Sequence, residues 1–204
     1  MDSNINNTNV KSNPLDETGF KLLSFENGKT KFVAQGINDV DRTYFSFHEL
    51  QYSRWINFVE LTEKTISKLL EIQNQIFVTG ISLTYVDEFQ WKDNSKIDFE
   101  KIINAESEYL PKNFTVISEG QLVNTRELKN DIDKQFDRLE ITVRSSITKN
   151  ITLNHNQTIL FKNPLELPND LELIKKELTM LHESNKEFLR KTLKKEVLEL
   201  IELK

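Results

Sequence analysis

The apolar period of this chain changes from about 3.6 residues to about 2 shortly before residue 76, so an amphipathic helix must give way to a strand. Upstream, Trp55, Phe58, Val59, Thr62, Ile66, Leu69 and Leu70 recur at three- and four-residue spacings, while Glu60, Glu63, Lys64 and Lys68 fall on the other side. The spacing predicts a helix over 52–71, capped by Ser53, with Trp55 in the core. Downstream, Ile81, Leu83 and Tyr85 alternate with Ser82, Thr84 and Val86, as a half-buried strand requires. That strand is expected over 76–91, bent near Gly80, where a missing side chain permits a bulge.

The remaining elements read as strands around these two. Residues 1–17 are rich in Asn, Ser and Thr and predict a disordered polar tail. Residues 18–204 predict one α+β domain ending in a long amphipathic helix. Phe20, Leu22 and Leu23 precede Asn27-Gly28, a tight-turn pair, and Phe32, Val33 and Ala34 follow it, which predicts a β-hairpin. Tyr44, Phe45 and Phe47 predict a third strand ending near His48. Two strands are expected over 114–126 and 136–147, an Asn-rich loop with an exposed His155 over 149–157, and a last strand over 158–161. Pro168-Asn169-Asp170 opens a C-terminal helix whose stripe includes Leu171, Ile174, Leu178, Leu181, Phe188, Leu193 and Val197. The whole predicts an antiparallel sheet of six or seven strands packed against an amphipathic helix and a long C-terminal helix.

The order of helix, short turn and Leu-x-Tyr strand, with Leu181-His182-Glu183 before a final amphipathic stretch, resembles a sporadically distributed, functionally uncharacterised bacterial protein family. That family carries Gly-Leu-Arg-Tyr-(Ile/Val)-Asn where this chain has Ser82-Leu83-Thr84-Tyr85-Val86-Asp87. Leu83 and Tyr85 match outright and Val86 conservatively. Thr84 and Asp87 stand in place of Arg and Asn, so a polar site built on those two residues is altered here. The family usually opens with an apolar strand where this chain has its polar tail. Its distribution implies an accessory bacterial system of the defence or toxin–antitoxin kind.

Composition narrows the chemistry. The chain of 204 residues has no cysteine, which excludes disulfides, thiolate metal sites and cysteine nucleophiles. Its 27 basic and 32 acidic residues are interspersed, and the net charge of −5 offers no basic face for nucleic acid. No apolar run approaches the roughly 20 residues that span a bilayer. A basic stretch followed by an apolar one is missing from the N-terminus, so a cytoplasmic protein without a signal peptide is expected. Phosphate loops, nucleophile elbows and zinc-protease motifs are absent, and neither a cofactor nor a metal is expected.

Three sets of residues remain. His48-Glu49 and His182-Glu183 have the composition of acid–base couples, but neighbours on a strand or helix diverge, so no catalytic residue is assigned. Asp87-Glu88 supplies carboxylate oxygens, one facing the core and one water, without a second acidic cluster at fixed spacing. A cleft at Tyr85, Asp87 and Thr84 is the alternative reading, as a ligand-binding protein or enzyme. The leading expectation is a non-catalytic interaction subunit. Leu198, Leu200, Ile201 and Leu203 crowd the chain's last turns with apolar groups on more than one face, which implies a protein partner or a homo-oligomer.

Overall fold

A computed structural model describes residues 18–38, 43–50, 54–92, 95–110, 119–128, 134–145 and 149–201. The expected tail over 1–17, the Ser53 cap, the first residues of the strand expected from 114, and Leu203 lie outside the described residues. Where the sequence predicts a single domain, the fold gathers into two compact units that divide between Gln73 and Asn74. It is α+β, with the seven strands among the described residues shared between two antiparallel sheets rather than gathered in one.

The first unit holds a meander of β1 (Thr18–Glu26), β2 (Lys29–Asn38) and β3 (Thr43–Glu49), in that spatial order, followed by α1 (Trp55–Ile72). Asn27 and Gly28 both adopt positive φ, 52° and 74°, as a two-residue hairpin turn of the right twist demands. Phe32, Val33 and Ala34 of β2 are buried, and Phe32 stacks on Phe47 of β3 with centroids 6.4 Å apart. The α1 stripe is covered less than its pattern predicts, since Thr62 is its buried residue. Trp55 is half-buried, in the helix's first turn, and stacks on Phe58 at 5.6 Å instead of entering a core.

In the second unit, β4 (Ile76–Gln90), β5 (Gly120–Leu128), β6 (Lys134–Arg144) and β7 (Asn150–Leu167) form a sheet of order β4-β7-β6-β5. The 18-residue β7 is its spine, and it takes in residues 150–157 of the segment that its Asn, His and Gln content marks as a loop. Ile151, Leu153, His155, Gln157 and Ile159 are all buried, so period-2 alternation is present but carried partly by polar residues. The bend at Gly80 is real. The β4–β7 register slips between Val78 and Gly80, and a Cβ at Gly80 would lie 2.7 Å from the Ile159 carbonyl oxygen.

One face of this sheet is covered by α2 (Leu171–Thr192), which buries Ile174, Leu181, His182, Asn185, Phe188, Leu189 and Thr192. Acidic Glu172 in its first turn and basic Arg190 and Lys191 in its last complement the helix dipole. The C-terminal helix is broken, not continuous. Leu193 and Lys194 are extended, Leu193 bridges Ile103, and the Lys194 amide donates to the Ile102 carbonyl at 2.9 Å. A six-residue α3 (Lys195–Leu200) follows. Residues 97–110, including a 3-10 turn at Phe99–Lys101, thereby close the apolar end of the core, where Phe99, Ile103, Ile141, Ile151, Leu153 and Phe188 are almost fully buried.

Candidate functional site

Strand alternation sorts every residue of the second sheet onto one of two faces. Leu83, Tyr85 and Asp87 of β4 lie on the face under α2, with Leu153, His155 and Gln157 of β7 and Asp137, Leu139 and Ile141 of β6. The apolar phase of each strand is therefore interrupted by a polar residue, and the interruptions fall side by side. Tyr85 stands opposite His155, Asp137 opposite Gln157, and Arg126 of β5 opposite Asp137.

These residues form a chain of contacts across the sheet. Arg126 Nη2 donates to Asp137 Oδ2 at 2.6 Å, and His155 Nε2 donates to Asp137 Oδ1 at 2.7 Å. His155 Nδ1 sits 2.7 Å from Oδ1 of Asn185 on α2, and Gln157 Nε2 donates to Ser184 Oγ at 2.8 Å. Tyr85 Oη and His182 Nδ1 are hydrogen-bonded at 2.5 Å. Aromatic rings enclose the centre: Phe188 stacks on the His155 ring at 4.0 Å, Tyr109 meets Phe188 edge-on at 5.1 Å, and the Arg126 guanidinium lies 4.5 Å over Tyr109.

The electrostatics follow from that enclosure. Burial pushes the Asp137 carboxyl up, but the hydrogen bonds and charges of His155 and Arg126 together outweigh it and hold the group below the usual carboxylate range. Burial pushes His182 down, assisted by the charge on Lys186. Burial raises Asp87, with His155 nearby pulling the other way. The arrangement satisfies buried polar groups and admits no substrate to its centre, since His155 is only 1% exposed and Asp137 4%. It is a polar seam that fastens α2 to the sheet.

The residues singled out from sequence fall in different places. Tyr85 and Asp87 share the inner face, but Thr84 is on the outer one, where Asn156 Nδ2 donates to Thr84 Oγ1 at 2.6 Å and to Ser82 Oγ at 2.7 Å. The three do not converge on a cleft. Asp87 faces in and Glu88 out, and Glu88 accepts from Asn150 at 2.9 Å. Across the two His-Glu pairs, His182 is buried while Glu183 is exposed and paired with Lys186, and His48 is exposed beside Ser46 Oγ at 3.0 Å. His155, expected to be exposed, is the most enclosed of the three histidines. Among the described residues no group of three or more His, Asp or Glu could hold a metal ion. The hollow at the β1–β2 turn, lined by Glu26, Asn27, Lys29, Thr30 and Leu50, is shallow and open.

At the C-terminal end the leucines divide. Val197 is buried and Leu198 packs against the core, whereas Leu200 is 83% exposed and Ile201 42%. No described helix is long and apolar enough to cross a membrane. No family model, curated protein or solved structure matches the chain.

Proposed function

We propose that this protein acts by binding another protein chain and not by catalysis, with Leu200 and Ile201 in the contact surface. The observation that carries this reading is the division within α3 and the residue after it. Val197 and Leu198 already anchor the segment, so Leu200 is not needed for docking, yet it stands 83% exposed beside Ile201. Apolar surface left in water is unfavourable by roughly 25 cal/mol per Å², and a partner relieves that cost. The seam under α2 supports the non-catalytic half of the reading, because its acid, base and hydroxyl groups are spent on one another.

Leu200→Glu tests this. An exposed substitution of this kind changes stability by no more than about 0.5 kcal/mol, so the fold should survive. Light scattering on the full chain and affinity capture from native-host extract should show a complex that the variant loses. A wild type that is monomeric and captures nothing, or a variant that keeps its complex, would refute the reading.

A further inference from the structure

The four-stranded sheet has an inward-pointing charge on each of its edge strands, and the two are treated differently. Such charges guard an edge, because a strand pairing there must bury them. On β5, Arg126 stands directly opposite Asp137 of β6 and forms an ion pair at 2.6 Å. On β4, Asp87 stands opposite Leu153 of β7, which offers it nothing. Among the described residues the Asp87 carboxylate makes no hydrogen bond or ion pair. Among the described residues the β4 backbone is laddered to β7 alone, so the remaining position opposite Asp87 is on its outer side.

We infer that the outer edge of β4 accepts an extended segment of a partner protein, of the pattern apolar-x-(Lys/Arg)-x-apolar, whose basic side chain pairs with Asp87. In strand addition the backbone gives affinity and alternate side chains give specificity. A residue directly opposite Asp87 would place its Cβ about 4.5–5.5 Å away on the same face, the relation Arg126 already has to Asp137. Tyr85 and Phe89 flank Asp87 on that face, which fixes apolar residues two places to either side. The partner is not β4 of a second copy, since Ile76–Gln90 contains no Lys or Arg and would bring only further carboxylates. Burial raises the Asp87 carboxyl, and an arriving cation would pull it back down. This site shares with the Leu200 surface only the premise that the chain binds protein.

The test uses the full chain and two fluorescein-labelled, end-capped peptides of alternating Thr and Val, one with Lys at the centre and one with Glu. By fluorescence anisotropy at low salt, the Lys peptide should bind about tenfold more tightly than the Glu peptide. Asp87→Asn should remove that preference and Asp87→Lys should reverse it, while Leu200→Glu binds as wild type. Amide exchange on β4 should slow when the Lys peptide is bound. Equal binding of the two peptides, binding of neither, or a Lys preference that persists in Asp87→Lys overturns the inference. If the Asp87 variants do not fold by circular dichroism, the wild-type peptide pair and the β4 amides decide it. Loss of peptide binding in Leu200→Glu would move the contact to the C-terminal surface, overturning the edge site and leaving the first reading intact.

Discussion

Replacing Asp137 by Leu should cost about 3–5 kcal/mol, because it breaks a buried pair by removing one partner. Asp137 accepts from His155 at 2.7 Å and from Arg126 at 2.6 Å, and without it a fully enclosed N–H and a guanidinium lose their acceptor together. His155→Leu should cost less, about 1–3 kcal/mol, since Arg126 still neutralises the carboxylate. With both residues changed, the stranded imidazole is gone, so the double variant should fall short of the summed costs by about 1–3 kcal/mol. Trp55 and Trp91 lie in different units, so urea unfolding followed by Trp91 fluorescence in a Trp55→Phe background reads the second unit alone. The Asp137 carboxyl is held low in the fold. Its contribution is therefore complete above the ordinary aspartate value of 3.8 and is lost as the pH falls through the depressed folded one. Single variants costing less than about 1 kcal/mol, with additive effects, would show that the buried Asp137–His155 pair does not stabilise the second unit.

Other expectations follow from single contacts. Gly80→Val should destabilise the second unit by more than about 1 kcal/mol, because its Cβ would press on the Ile159 carbonyl and on Leu160 Cδ2 at 2.9 Å, and thermal melting reads this directly. Tyr85→Phe should cost about 0.5–1.5 kcal/mol by leaving His182 Nδ1 without its hydroxyl. Burial lowers His182, so the unfolded chain takes up its proton first and stability should decline as the pH drops below 6.5; His182→Phe should flatten that decline in a pH series of urea midpoints.

The sequence showed the elements whose burial is apolar and hid those whose burial is polar. Ile81, Leu83 and Tyr85 revealed β4, Asn27-Gly28 revealed the first hairpin, and Leu139, Ile141 and Val143 revealed β6. His155 and Gln157 concealed β7, because between asparagines they read as solvent-facing although they keep phase with Ile151, Leu153 and Ile159. The same phase test would have found Asp137, which continues the series Leu139, Ile141, Val143, and Arg126, which continues Leu122 and Asn124. Asn185 gave no such signal, since one amide on a helical stripe is ordinary. The break after Thr192 was also hidden, because Leu193 suits a helical stripe and is diverted by pairing with Ile103, a contact no local pattern records. Residues 18–204 read as continuous because no Pro- or Gly-rich linker marks the division at Gln73.

The placement of β7 has a consequence for the order in which the protein is made. Gln90 pairs with Asn150 and Ile76 with Leu167, so β4 leaves the ribosome long before its neighbour exists. The β5–β6 hairpin can zip as it emerges, but β4 has to wait while roughly 60 further residues are synthesised, at about 5–20 residues per second. For those seconds both its edges are unpaired, and Phe77, Ile81, Leu83 and Phe89 have no strand beside them. The nascent chain therefore passes through an interval of adhesiveness before β7 arrives, and the acidic pair Asp87-Glu88 is the charge β4 carries through it.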